Sequence, residues 1–133
     1  MGLILDTSFV IAFERERHRG GHGVAAAFLS SRTAETLYIT FTVAGELAAG
    51  KTAANFRNWQ LLCAPFKMLP WTMEIAWQYG ELYRRLQSTG TLIGANDLWI
   101  AATALVHRMD LVTGNVGEFR RVNGLNVIPF QRN

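Results

Sequence analysis

At 133 residues the chain has the size of one domain, 1–133, and is long enough to bury a substantial core. Its 50% hydrophobic and 17% charged residues exclude a disordered protein, and thirteen Lys and Arg against ten acids give +3, which is compatible with a nucleic-acid partner without requiring one. The lone Cys63 excludes an internal disulfide, the apolar stretch 98–106 is too short to span a membrane, and the start has no basic segment before Asp6 to make a secretory signal, so a soluble cytoplasmic protein is expected.

Residues 2–5 are an apolar run that reads as a buried strand, ending at Asp6. Thr7 or Ser8 can then cap a helix through Phe9, Val10, Ile11, Ala12 and Phe13. Residues 14–23 hold Arg15, Arg17, Arg19 and three glycines and read as a charged loop, and helical character resumes over 24–29. Strand formers at 37–40 precede Thr42, which can cap a helix carrying Glu46 and Leu47. A helix over about 53–62 leads to a strand at 66–70 that Pro70 closes. After Thr72, the residues Ile75, Ala76, Tyr79, Leu82, Tyr83 and Leu86 recur at spacings of three and four, which marks an amphipathic helix. Residues 88–95 form a loop. The segment 97–107 is apolar almost all round, so that helix is expected to be central. Strands at 111–113 and 126–128, with a helical turn near Glu118 between them, close the chain.

Strands alternating with helices predict an α/β protein with a mostly parallel central sheet and helices on both faces. In such a sheet, ligands bind beyond the carboxyl ends of the strands. Asp6 follows the first strand, Asn115 and Glu118 follow the strand at 111–113, and Glu46 and Asp97 lie near the starts of helices, so four acids can face one cleft. Acids are scarce here, three Asp and seven Glu, which makes their placement informative. Two charges about 4 Å apart at an effective dielectric of 20 repel by roughly 4 kcal/mol, so such a cluster needs cations or a raised pKa. Carboxylates gathered from distant segments suit Mg2+ or Mn2+, and a carboxylate-bound pair of ions suits phosphodiester hydrolysis. Taken singly, Asp6 and Asp97 read equally well as helix caps, and Glu46 and Glu118 as solvated helix residues.

Four strings together resemble a known family: Leu5-Asp6-Thr7-Ser8; Glu46 on the helix after the second strand; Ile93-Gly94-Ala95-Asn96-Asp97-Leu98-Trp99-Ile100-Ala101-Ala102; and Leu111-Val112-Thr113-Gly114-Asn115 with Glu118-Phe119 and Gly124-Leu125-Asn126-Val127. They are similar to the motifs of PIN domains, and within these of the VapC-type toxins of bacterial toxin-antitoxin pairs, over nearly the whole chain. The resemblance implies a three-layer α/β/α sandwich, a homodimer and a metal-dependent endoribonuclease acting on tRNA or rRNA with Mg2+ or Mn2+. It also implies a cognate VapB-like antitoxin that inserts a segment, with an Arg, into the cleft. The catalytic and metal-binding acids would be Asp6, Glu46, Asp97 and Glu118, supported by Ser8, Thr113 and Asn115, which would hold the acids and nearby waters. Many relatives carry Asp where this chain has Asn115, which shifts the fourth acid to Glu118.

Around the acids, Arg15, Arg17, Arg19, Lys51, Arg84, Arg85, Arg120 and Arg121 could form basic walls for an RNA backbone, against the plainer reading of a solvated surface. Trp59, Trp71, Trp77 and Trp99 read as core or interface rather than base-stacking platforms. His18 and His22 have no assigned role. Two other classes compete: a binding or regulatory module whose acids receive a partner's Arg, and a receiver-like phosphoacceptor, which Thr7, Ser8 and Gly114 argue against. A DNA-directed or housekeeping nuclease is the remaining alternative.

Overall fold

The computed structural model describes residues 2–51 and 53–131. Among them, five strands and seven helices follow in the order β1 (Gly2–Leu5), α1 (Thr7–His18), α2 (Val24–Ser30), β2 (Thr36–Thr40), α3 (Phe41–Ala49), α4 (Phe56–Cys63), β3 (Lys67–Leu69), α5 (Met73–Ser88), α6 (Ala95–His107), β4 (Asp110–Thr113), α7 (Val116–Phe119) and β5 (Val127–Pro129).

Every strand pair is parallel, so the expected mostly parallel sheet is wholly parallel, in the order β3-β2-β1-β4-β5. Parallel neighbours must be joined by crossovers, and helices fill each of them to give the three-layer sandwich. The chain winds outward from β1 through β2 to β3 and then crosses back to β4, which puts the reversal between β1 and β4. A crevice opens at such a reversal, beyond the carboxyl ends of the two strands. Leu5 pairs with Val112, so the residues that leave the sheet there are Asp6 and Thr113 with its successors.

Burial on both faces explains the unbroken apolar runs of the central strands. Leu3, Ile4, Leu5, Leu111 and Val112 are all buried, as are Leu98 and residues 100–104 of α6. The central-helix expectation for residues 97–107 therefore holds, and α6 packs along α5 more extensively than any other two elements meet. Among the described residues no helix is long and apolar enough to cross a membrane.

The element ends differ from the sequence expectations in ways that local chemistry explains. Asp6, not Thr7 or Ser8, is the N-cap of α1: its carboxylate accepts from the Thr7 amide at 2.7 Å. The expected loop over 14–23 is helical as far as His18, because Glu14 pairs with Arg17 at 3.3 Å and His18 at 3.1 Å, one turn on. The chain breaks only at Gly20 and Gly21, with φ of 98° and 83°. Thr40, not Thr42, caps α3 by accepting from the Val43 amide at 3.1 Å, and Asn55 caps α4, which starts at Phe56 rather than near 53. Two of the tryptophans read as core or interface, Trp71 and Trp77, are 52% and 64% exposed and so lie outside the core.

Candidate active site

Among the described residues Asp6 is the only buried acid, 6% exposed, at the mouth of the crevice. Burial of a carboxylate is costly unless donors surround it, and three do so. The Thr7 amide serves Oδ1 at 2.7 Å, while the hydroxyls of Thr113 and Ser8 serve Oδ2 at 2.7 and 3.2 Å. The β1–β4 register sets Thr113 beside Asp6, so the longest-range of these bonds follows directly from strand pairing. Ser8 in turn accepts from the Gly114 amide at 3.0 Å, and Thr113 from the Asn115 amide at 2.9 Å. The two strand ends are thus laced into one rigid frame around a single carboxylate.

Asp97 stands in the first turn of α6, whose N-cap is Gly94. It is therefore inside the helix rather than capping it. Its carboxyl is raised to about 7, first by burial, then by a side-chain hydrogen bond with Glu118 and by the negative charges of Asp6, Glu118 and Glu46. The helix N-terminus would favour the ionised form, yet burial and three acids outweigh it. The structure accordingly brings the other three predicted acids into electrostatic range of Asp97. Asn115 reaches the same carboxyl, its amide Nδ2 standing 3.5 Å from Asp97 Oδ2, so both candidates for the fourth position, Asn115 and Glu118, border Asp97.

Glu46 lies in the second turn of α3, half-buried, and accepts from the Thr7 hydroxyl at 3.0 Å. The indole of Trp59 steadies the same helix from α4 by donating to the Ala44 carbonyl at 2.9 Å. Glu46 also lines a cavity of about 270 Å³ with Ile11, Arg15, His18, Leu47, Lys51 and Leu62 among its walls. Arg15 and Lys51 are thus the predicted basic residues that border the acids. Arg17 is engaged with Glu14, Arg121 donates to the Leu92 carbonyl at 3.0 Å, and Arg19 and Arg120 are solvent-exposed.

Among the described residues no cation pairs with any of the four acids, and no three His, Cys, Asp or Glu side chains close around one point at ligating distance. The cleft is an open arrangement of acids. Sequence reasoning missed one residue here: Thr7, read as a helix cap, in fact touches two acids. Its place in Asp6-Thr7-Ser8 gave no hint that its hydroxyl would face α3, since that depends on how two helices pack.

A family profile described as the PIN domain matches residues 3–125. Ribonuclease VapC1 of Rickettsia felis is 34% identical over 136 aligned positions, covering 96% of each chain. Ribonuclease VapC10 of Mycobacterium tuberculosis is 36% identical over 121, covering 88% of this chain and 85% of that protein. In the solved structure of VapBC-1 from nontypeable Haemophilus influenzae, a chain 27% identical superposes with a TM-score of 0.82 over 99% of this chain and 100% of its own. With its five-stranded parallel sheet, its acids at the β1–β4 reversal and relatives alike over almost their full length, the chain belongs to the PIN-domain family, in its VapC group.

Proposed function

We propose that this chain is the ribonuclease toxin of a toxin-antitoxin pair, an endonuclease that hydrolyses RNA phosphodiester bonds in tRNA or rRNA at the Asp6–Asp97 cleft. The observation that carries this reading is the convergence of Asp6, Glu46 and Glu118 on Asp97 with no cation among the described residues to balance them. Such a set repels itself when ionised, and Mg2+ or Mn2+ supplies the missing charge. The donor chemistry fits: carboxylate oxygens with an amide oxygen from Asn115 nearby are hard ligands suited to these ions. The openness of the cleft fits as well, because Mg2+ keeps several waters and is usually held by only one or two carboxylates.

In this reading Asp6, Asp97, Glu46 and Glu118 would hold the metal, one or two of them directly and the others through its waters, and the bound ion would supply a nucleophilic water at neutral pH and charge to stabilise the leaving oxygen. Thr113, Ser8 and the Thr7 amide fix the Asp6 carboxylate in one orientation, each by donating a hydrogen bond to it. Asn115 orients Asp97. Arg15 and Lys51 offer charge to an incoming phosphate backbone from the Glu46 side. With water as nucleophile, neither the ribose 2'-hydroxyl nor a His takes part, and the products carry no 2',3'-cyclic phosphate.

The Haemophilus relative is a VapBC structure, and a VapB-like antitoxin is proposed for this chain on that ground. An antitoxin Arg entering the cleft would pair bidentately with its carboxylates. Homodimerisation is proposed through Met68 of edge strand β3, Trp71, and Met73 and Trp77 of α5, all more than half exposed. Along α5, Glu74 and Glu81 precede Arg84 and Arg85, so a second copy packed antiparallel about a two-fold axis would oppose acids to bases.

The test is to induce the chain in cells and sequence the RNA 5' ends. Discrete new ends with the parent chain and none with Asp6→Ala support the reading. The same ends with Asp6→Ala would overturn it.

A further inference from the structure

The geometry points to Thr7 as a positioning residue that latches Glu46 to the Asp6 carboxylate, an inference that rests on the metal-dependent reading of the cleft. Among the described residues Thr7 is the only one whose own atoms donate hydrogen bonds to two of the acids. Its amide donates to Asp6 Oδ1 at 2.7 Å and its hydroxyl to Glu46 Oε1 at 3.0 Å, a bond spanning 39 residues between α1 and α3.

The two acids depend on it unequally. Asp6 has two further donors, Ser8 and Thr113. Among the described residues Glu46 has no hydrogen-bond donor other than the Thr7 hydroxyl. Glu46 also lines the cavity whose walls include Arg15, His18 and Lys51, a wall to which neither Thr7 nor Asp6 contributes. It has three side-chain torsions and is only half-buried, and it forms no ion pair with those bases. Released from Thr7, the carboxylate is free to swing toward the cations, which attract it, and away from Asp97, which repels it. The Thr7 hydroxyl therefore selects the orientation in which Glu46 serves the cleft. Outer partners of metal-ligating carboxylates typically contribute about 10- to 100-fold in metal affinity.

The test is Mn2+ binding to the purified full chain, read from the electron paramagnetic resonance signal of free Mn2+ and so independent of catalysis. Thr7→Val keeps the branched shape at the first helical position and removes only the donor. Mn2+ affinity is expected to fall about tenfold, with Thr7→Ser restoring it close to the parent value. In a Glu46→Ala background, where the hydroxyl has no acceptor left to hold, Thr7→Val should cost nothing further. Thr7→Ala provides a second donor-free variant, and circular dichroism verifies the fold of each protein.

Parent-like affinity in Thr7→Val, equal weakness in Thr7→Val and Thr7→Ser, or an undiminished loss in the Glu46→Ala background would each overturn the latch. If Asp97→Asn loses Mn2+ while Thr7→Val retains it, the latch falls and the carboxylate site stands. If Asp97→Asn binds as the parent does, the reading of the cleft falls and the latch with it.

Discussion

Asp97 carries an unusual electrostatic load for a half-buried side chain, and its consequence is a pH dependence opposite to that of an ordinary surface carboxylate. With its folded-state value near 7 against the ordinary 3.8, the native metal-free protein binds more protons than the unfolded chain between those limits. Stability contributed by this group must then fall as pH rises from about 4 to about 7. Thermal unfolding in chelator at pH 5 and pH 8 should show that loss in the parent chain. Asp97→Asn, which cannot ionise, should lack it. The identities of Asp6 and Asp97 were legible in the sequence, because Asp6 ends an apolar strand and Asp97 opens an apolar helix. Their environment was less so: nothing in the spacing told that Glu118 and Asn115 would both border Asp97, since a short helical turn after β4 decides that.

Among the elements, the hairpin of α1 and α2 shows how a structural acid differs from a functional one. The Glu16 carboxylate accepts from the amides of Ala25 and Ala26 at 2.9 and 2.8 Å, closing the N-terminus of α2, which has no side-chain cap of its own. Gly23 lies directly against the Glu16 side chain, where an added Cβ would collide. Removing the carboxylate in Glu16→Ala leaves two amides without their partner, which costs about 1–3 kcal/mol. A melting-temperature drop with unchanged Mn2+ affinity is the expected result. At the other extreme, Leu98 is 1% exposed on α6 next to Asp97, and Leu98→Ala should cost about 2–5 kcal/mol in denaturant unfolding.

Periodicity identified α5, which buries one stripe at Ile75, Leu82 and Leu86, and all-round apolarity identified the central α6. Periodicity failed at α1, where polar residues over 14–18 are helical through ion pairs rather than through an apolar stripe. Thr72 caps α5 as expected, accepting from the Ile75 amide, but two other caps lie earlier than expected: Asp6 and Thr40 close α1 and α3 because each strand runs into its helix without a loop.

For the whole molecule, alternation of strands and helices was enough to give a parallel sheet with the site at its carboxyl edge. It was not enough to give the strand order, because the direction of each crossover is fixed by packing and leaves no mark on the sequence. The exposed apolar residues Met68, Trp71, Met73 and Trp77 were likewise invisible as a group, since they come from an edge strand, a loop and a helix. If they bury against a second copy, Trp77→Glu should convert a dimer to a monomer in light scattering, with Mn2+ affinity per chain unchanged.

The central claim, that carboxylates at the β1–β4 reversal direct metal-dependent RNA hydrolysis, is tested most directly by incubating the purified, partner-free chain with a broad RNA panel in Mn2+. The account predicts discrete fragments without 2',3'-cyclic phosphate ends, abolished by chelator and by Asp97→Asn in a chain that still folds. Fragments that persist undiminished in chelator or in Asp97→Asn would contradict it.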